Sequence, residues 1–272
     1  MRITDLTDVY KDLVIRQNRF EEYVQTAPSL FAHYFSYWAK RPMDGVPVLS
    51  ERDLQQKQHL LRTRLPIIEE TMVRKGLRIH DLSLVLFVGQ GTSNGHAFLE
   101  QGKSTVWIPV EAYETEKQVD VFVTHEIVHA LHYQARPEFF FTSKKEQQQT
   151  GRQFLTEGMA TCLTKHVLDC GDTTALWADY LPPTQADRWM SDCKEHLSEL
   201  GKVIYEQWNE SPEQNELFLA NDPNNIFKYR SGYFAGLWFT EEFMRRENLR
   251  PQDLLQVDRK ILEQQVRAIL LE

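Results

Sequence analysis

The stretch VDVFVTHEIVHALHY, residues 119–133, is the most informative part of the sequence, because it places a compact set of polar groups inside an otherwise apolar predicted helix. Residues four apart lie on one face of an α-helix, about 6 Å apart along its axis, so His125 and His129 can bind one cation. Glu126 lies one residue round the helix, within reach of a water molecule that such a cation would hold. Two imidazoles and a carboxylate are the ligands that suit zinc.

The helix must also satisfy these polar groups away from water, and a bound metal would do so. His132 lies on the same face as the other two histidines. A metal held by His129 and His132 would leave Glu126 too far along the helix to act on water. We therefore interpret His132 as a residue that supports the ligands or packs in the core.

A catalytic zinc usually has three protein ligands, and Glu157 is the best candidate for the third. It lies in a second predicted helix, residues 152–169, and is followed directly by Gly158. Glycine in a helix costs roughly 1 kcal/mol relative to alanine, which is understandable if another helix packs closely there. The alternative is a solvated glutamate in the first helical turn, where the helix dipole favours it.

This combination resembles the gluzincin metallopeptidases, the thermolysin-like clan with a His-Glu-x-x-His helix and a downstream glutamate. The specific resemblance covers roughly residues 94–161. It implies that His125, His129 and Glu157 bind one Zn²⁺ per chain and that Glu126 is the general base. It also implies a peptide or protein as the substrate.

The chain departs from the clan pattern one helical turn after the third ligand. Many gluzincins have Glu-x-x-x-Asp there, with the aspartate orienting a zinc-bound histidine, whereas this chain has Thr161. A threonine hydroxyl can accept a hydrogen bond from an imidazole N–H, although less strongly than a carboxylate. We therefore expect Thr161 to support a histidine ligand.

The surrounding segments predict an α+β, predominantly helical fold. Residues 82–89 form a short apolar run typical of a buried strand, and residues 95–99 and 105–108 predict a hairpin with its turn at Gln101-Gly102-Lys103. The gluzincin resemblance implies a zincin-like arrangement, in which this small sheet packs on the metal-binding helix and a helical lobe follows.

The same resemblance indicates a place for the substrate. In gluzincins one edge strand of the sheet pairs with an extended substrate. This pairing recognises the backbone of the substrate, whose side chains bind in pockets. Residues 94–99 are the candidate strand, so Asn94, Gly95, His96 and Ala97 are candidate substrate-binding residues. The alternative is an ordinary hairpin of the core.

A tyrosine is the candidate for stabilising the oxyanion of the transition state. Residues 226–247 are predicted to form a helix on which Tyr229, Tyr233 and Gly236 share one face. The clan often places a Tyr or His in this role after the third ligand, and Tyr233 is the first candidate, with Tyr229 beside the substrate. The alternative is that both are core aromatics. Arg230 is a candidate to bind a substrate carboxylate, although a solvated arginine is the simpler interpretation.

The remaining segments predict further helices and a loop over residues 173–181. The whole chain is predicted to be one catalytic unit with three parts. The parts are an N-terminal helical segment (1–76), the small sheet with the His-Glu-x-x-His helix (77–141), and a helical lobe that carries the third ligand (142–272). The other predicted helices cover residues 5–26, 29–41, 50–75, 184–208 and 252–272.

Composition narrows the class of protein. The 272 residues, 42% of them hydrophobic, can bury a sizeable core. A net charge of −8 without a basic stripe argues against nucleic-acid binding. The sequence has no run of about 20 apolar residues that would span a membrane, and no secretory signal is apparent. Its three cysteines form no CxxC pair, so we expect reduced thiols and a cytoplasmic location.

The sequence thus predicts a zinc metallopeptidase that hydrolyses peptide bonds with a zinc-activated water and a glutamate general base. One alternative is a metal-dependent hydrolase of a non-peptide bond, which would use the same groups. Another is a metal-binding regulatory protein without turnover. The intact Glu126 argues against the latter, because a structural zinc needs no base.

Overall fold

The fold is α+β, predominantly helical and has a small sheet, as the sequence predicts; in the described part of the chain the sheet has four strands. The computed structural model of the chain describes residues 1–42, 48–100 and 103–271. The chain divides into two compact units, Met1–Ala130 and Leu131–Glu272, and the division falls within one long helix.

The first unit contains the whole sheet and the first four helices, followed by most of the fifth. Ser50 caps the longest of these helices, and its hydroxyl accepts a hydrogen bond from the amide of Asp53 at 3.2 Å. In chain order the elements are β1 (Arg2–Asp5), α1 (Thr7–Tyr10), α2 (Phe20–Gln25), α3 (Pro28–Tyr37), α4 (Glu51–Arg74), β2 (Ser83–Phe87), β3 (His96–Glu100), β4 (Lys103–Pro109) and α5 (Glu116–Ala135).

The second unit is built from helices. Among the residues that the structure describes, none of the helices in either unit is long and apolar enough to cross a membrane. After the end of α5, the helices of the second unit are α6 (Lys144–Gln148), α7 (Thr150–Leu168), α8 (Asp172–Trp177), α9 (Pro183–Glu195), α10 (Leu197–Glu206), α11 (Ser231–Glu247) and α12 (Arg259–Leu270).

The sheet has the strand order β1-β2-β4-β3. Strands β1, β2 and β4 run parallel, and β3 pairs antiparallel with β4. The predicted hairpin is thus confirmed as β3 and β4, although residues 101–102 of its turn lie outside the described residues. Strand β3 lies at one edge of the sheet as described.

The two faces of the β3–β4 hairpin have different partners, because side chains alternate along a strand. His96 and Trp107 lie opposite each other in the register, and the ring of Trp38 packs 4.7 Å from His96 between ring centroids. On the other face, the hydroxyl of Ser104 donates to the carbonyl of Ala130 on α5 at 3.1 Å. Trp38, which directly follows α3, therefore packs on one face of the hairpin, and α5 contacts the other face.

The prediction of a single helix over residues 5–26 is wrong. Residues Arg2–Asp5 form strand β1, and the following helical segments are interrupted at Asn18, whose φ is 54°. A left-handed residue ends a right-handed helix. Strand β1 depends on its pairing with β2, a partner far along the chain, so periodicity within residues 2–5 does not reveal it.

Two predictions in the second unit also need correction. The predicted loop over 173–181 contains helix α8, whose Leu176 and Trp177 are buried. The predicted helix over 184–208 is two helices, α9 and α10, which meet at His196. Tertiary burial, which local pattern does not report, accounts for α8, whereas α9 and α10 are separated by the non-helical backbone of His196, with φ of −100° and ψ of 16°.

Candidate metal centre

Helix α5 begins and ends where the sequence places strong local signals. The hydroxyl of Thr115 accepts a hydrogen bond from the amide of Gln118 at 3.2 Å, and the side chain of Gln118 accepts one from the amide of Glu114 at 2.8 Å. The helix ends at Ala135, two residues before Pro137, because the residue before a proline disfavours helical backbone. The His-Glu-x-x-His motif consequently lies in the middle of a regular helix.

Between Thr124 and His132, α5 buries five polar side chains. Such groups lower the stability of a fold unless they bind partners, so their concentration on one helix indicates a site rather than ordinary core. None of the five exposes more than the 8% found for Glu126, and they are Thr124, His125, Glu126, His129 and His132.

The two histidines of the motif converge on one point. Their Nε2 atoms are 3.0 Å apart, and their ring planes are inclined at 84°. Two nitrogens bound to one tetrahedral zinc at the usual bond length would be roughly 3.3 Å apart. His125 and His129 therefore have a geometry that fits a shared zinc ion.

Glu157 on α7 completes the set of donors. Ligand atoms of His125, His129 and Glu157 all lie within 4.8 Å of one another. Two imidazoles and one carboxylate are a ligand set that catalytic zinc uses, with one position left open for water or substrate. The residues present thus fit the metal that the sequence predicts.

The glycine beside Glu157 marks the closest approach of two helices. A Cβ on Gly158 would lie 2.4 Å from the carbonyl carbon and oxygen of Gly236 on α11, and a Cβ on Gly236 would lie 2.7 Å from the carbonyl oxygen of Phe154. The prediction that another helix packs closely at Gly158 is confirmed. Helix α11 thereby fixes the position of α7 one residue from the candidate ligand.

We expect Gly158→Ala to lower the free energy of unfolding by about 1–3 kcal/mol, because α7 and α11 would have to move apart. This loss exceeds the gain in helix propensity that alanine offers. Denaturant unfolding of the metal-free protein measures the effect. Gly171→Ala is the control, since a Cβ there meets nothing within 4 Å. Equal stability of the two variants would contradict the close packing.

Thr161 and His132 are both buried, at 1% exposure each. Thr161 lies one helical turn after Glu157 on α7, which puts the two side chains on one face of the helix. The hydrogen bond that Thr161 would accept from the ring N–H of a histidine ligand stays a prediction. The ring of His132 packs against Phe139, with 4.0 Å between ring centroids, in agreement with a position in the core.

The predicted helix over 226–247 begins later than expected. Residues Ile226–Lys228 form a short 3-10 turn, and α11 begins at Ser231, after Arg230 in left-handed conformation with φ of 58°. The prediction that Tyr229 shares a helical face with Tyr233 is therefore wrong, because Tyr229 precedes the helix. A left-handed residue other than glycine is rarely visible in a sequence.

The segment before α11 is fixed by aromatic contacts. The indole of Trp189 donates to the carbonyl of Tyr229 at 2.7 Å, and the ring of Tyr229 packs 5.2 Å from that of Trp177. The guanidinium carbon of Arg230 lies 4.9 Å from the ring centre of Trp177 and 4.4 Å from that of Tyr233. Cation–π contacts thus hold Arg230 between two rings and restrict the ring of Tyr233.

Tyr233 lies in the first turn of α11. It precedes Gly236 by three residues, so it is about 5 Å along the axis from the crossing at Gly158. Its ring also contacts Phe218, with 5.6 Å between centroids. Within the second unit, Tyr233 and Glu157 therefore both lie close to the α7–α11 crossing.

The candidate substrate strand divides its side chains between the two faces of the sheet. His96 is buried in the aromatic cluster with Trp38, and Ala97 is buried on the face towards α5. Gly95 lies directly against the side chain of Glu126. At the edge of the sheet, β3 therefore offers its backbone rather than its side chains.

Two residues near the site carry no recognisable sequence signal. The carboxylate of Glu111 accepts hydrogen bonds from the amides of Gly89 at 3.0 Å and Gly91 at 3.1 Å, and the hydroxyl of Tyr113 donates to the carbonyl of Asn94. These residues hold the loop that leads into β3. Their partners are about twenty residues away in the chain, beyond the reach of local pattern.

Comparison of the chain with protein-family models, with characterised proteins and with solved structures found no match. The class of site is therefore argued from its residues alone: a candidate zinc centre with two histidines, one glutamate and an adjacent buried carboxyl group.

Proposed function

We propose that this protein is a zinc-dependent metallopeptidase. The observation that supports the proposal most strongly is the grouping of ligand atoms of His125, His129 and Glu157 within 4.8 Å, next in the chain to the buried Glu126. A structural zinc site has four protein ligands, leaves no coordination position open and needs no carboxyl group beside it. Three protein ligands and a nearby carboxyl group are typical of hydrolytic zinc sites.

His125, His129 and Glu157 would hold the zinc. When bound, zinc acts as a Lewis acid and brings the pKa of water to near 7. Glu126 follows the first histidine ligand on α5 and is 8% exposed, so its side chain is largely shielded from bulk solvent. It would accept the proton of the attacking water and pass that proton to the leaving amine.

Tyr233 would donate a hydrogen bond to the oxyanion that develops on the scissile carbonyl. Its place beside the α7–α11 crossing and the restraint of its ring by Arg230 support this role. An oxyanion donor has to be held in position before the reaction, and the cation–π contact does so without using the phenolic hydroxyl.

Strand β3 would bind an extended peptide through its backbone. Its position at the edge of the sheet supports this, because an edge strand can add a partner strand by main-chain hydrogen bonds. Such binding is largely independent of side chains, which agrees with the burial of His96 and Ala97. Asn94 and Gly95 would then border the scissile bond.

We also propose a cytoplasmic location. The three cysteines, Cys162, Cys170 and Cys193, are free thiols, a state that a reducing compartment maintains. Burial raises the pKa of Cys162 to about 12, so this thiol is protonated at physiological pH and is not a nucleophile.

The proposal is tested by incubating the purified protein with a diverse peptide mixture and identifying products by mass spectrometry. We expect new termini to appear, to disappear with a chelator, and to return when zinc is added. Cleavage of an ester panel with no peptide cleavage would favour a hydrolase of another bond. Tight zinc binding without any cleavage would favour a regulatory role and overturn the proposal.

We expect Tyr233→Phe to lower kcat with little change in KM, corresponding to a loss of about 2–4 kcal/mol of transition-state stabilisation. The phenol would be needed for the oxyanion alone, so substrate binding should persist. Steady-state kinetics with a cleaved peptide measure both constants. Tyr205→Phe on α10, where the tyrosine is 39% exposed, is the control for removing a hydroxyl. An unchanged kcat in Tyr233→Phe would remove the role, and Tyr229→Phe would be tested next.

A further inference from the structure

Gly95 packs directly on the side chain of Glu126. A Cβ at this glycine would lie 2.7 Å from Cγ and 3.3 Å from the carboxyl carbon of Glu126, and 3.3 Å from Cδ1 of Ile108. The φ angle of Gly95 is 151°, a value that side-chain-bearing residues rarely adopt. Space and backbone conformation thus both require glycine at this position.

The loop that ends at Gly95 is held by hydrogen bonds along its length. The hydroxyl of Ser93 accepts from the amide of Gly95 at 3.2 Å and donates to its carbonyl at 2.8 Å. The hydroxyl of Tyr113 donates to the carbonyl of Asn94, and the amide of Gln90 donates to the hydroxyl of Tyr34 at 2.8 Å. The backbone beside Glu126 therefore has a fixed position.

The start of this loop is bound to a buried carboxyl group. Glu111 accepts hydrogen bonds from the amides of Gly89 and Gly91. Burial raises the pKa of Glu111, and these amide hydrogen bonds oppose that shift. Lys57 donates to the carbonyl of Glu111 at 3.4 Å, which places a cation close by. A buried carboxyl group that accepts hydrogen bonds from two amides anchors the start of the loop.

We propose that Gly95 is a positioning residue for Glu126. The loop of residues 89–95, anchored by Tyr34, Glu111 and Tyr113, holds the Gly95 backbone against Cγ of Glu126. A glutamate side chain has several rotamers, and this contact excludes those that would occupy the space of Gly95. The proposal rests on the proposed function, in which the carboxylate of Glu126 acts as the general base.

Gly95→Ala tests the proposal, because the added methyl group displaces the Glu126 side chain and leaves the candidate zinc ligands unchanged. We expect kcat to fall by roughly 10- to 100-fold, the scale of a misplacement of about 1 Å, while the zinc content and KM stay near those of the wild type. Gly76→Ala is the control: Gly76 has a φ of 80°, and a Cβ there meets nothing within 4 Å. Equal kcat values for the two variants would overturn the proposal.

A double-mutant cycle separates positioning from general damage. In the Glu126→Gln background, where the base is already absent, Gly95→Ala should cause no further loss of kcat. Independent losses that multiply would show that Gly95 acts elsewhere. Tyr113→Phe supplies a second variant without added volume. It should lower kcat in the same direction, since it releases the carbonyl of Asn94, and no effect in either variant would contradict the inference.

Stability of the metal-free protein provides a readout that does not depend on peptidase activity. Gly95→Ala should lower Tm by roughly 4 °C or more in the wild type and by clearly less in Glu126→Ala, which lacks Cγ and its carboxyl group. Equal Tm losses in both backgrounds would refute the contact itself. Coupled Tm losses in a protein without any peptidase activity would instead refute the proposed function and leave the contact intact.

Discussion

His129→Ala should abolish zinc binding at physiological concentrations of the metal. The variant removes one of three candidate ligands and leaves two donors that cannot hold the ion alone. Even residues that merely support ligands change affinity by about 10–100-fold, so the loss of a ligand should exceed about 100-fold. Competition with a chromogenic chelator, together with elemental analysis, measures zinc affinity and stoichiometry. We expect one zinc per wild-type chain.

Matched variants distinguish the possible sets of zinc ligands. Glu157→Ala should lose zinc as well, whereas His132→Gln, which changes a buried histidine on α5, should lower zinc affinity by at most about 100-fold. Loss of zinc in His132→Gln with retention in His125→Ala would favour a metal held by His129 and His132. Full retention in both His129→Ala and Glu157→Ala would refute the assigned ligands.

Glu126→Gln should leave zinc bound and lower kcat by about 10²–10⁴-fold, the usual contribution of a general base. The amide has nearly the same shape as the carboxyl group but cannot accept the proton of water. Initial rates with a cleaved peptide measure the effect, and circular dichroism and zinc content show whether the protein is otherwise intact.

Glu116→Gln provides the control for this substitution. Glu116 lies at the start of the same helix, its side chain is 64% exposed, and its ion pair with Arg64 is at the surface. Exposed ion pairs contribute little, so its activity should match that of the wild type. Activity of Glu126→Gln within a few-fold of the wild type would exclude Glu126 as the base.

The parts of the fold that depend on local signals are predicted well by the sequence. Helix α5 has a threonine cap at its start and a proline after its end, and the hairpin of β3 and β4 has two short apolar runs around a turn. Helix α4 begins beside the capping residue Ser50, as expected for a serine before an amphipathic pattern. These features need no knowledge of distant residues.

The parts that depend on distant partners are not predicted. Strand β1 exists because it pairs with β2, and α8 is helical because Leu176 and Trp177 are buried. The late start of α11 follows from the left-handed conformation of Arg230, which aromatic rings on both sides stabilise. None of these partners lies within a window of local periodicity.

In the candidate site, too, some features follow from local signals in the sequence and others from distant partners. Helix geometry alone brings His125 and His129 together, and Gly158 predicts the close helix packing beside Glu157. By contrast, the hydrogen bonds from the glycine loop to Glu111 and the position of Gly95 against Glu126 require the folded first unit. The sequence thus indicates the candidate ligands and the candidate base, whereas the contacts that hold the glycine loop and Glu126 are seen in the structure.

The most direct test is a zinc titration of the metal-free protein, with bound zinc and peptide cleavage measured on the same samples. We expect the cleavage rate to rise in proportion to bound zinc and to reach its maximum at one zinc per chain, with the zinc-loaded Glu126→Gln protein close to the baseline. Cleavage that is independent of bound zinc, or full zinc occupancy without cleavage of any peptide, would contradict the assignment of a zinc metallopeptidase.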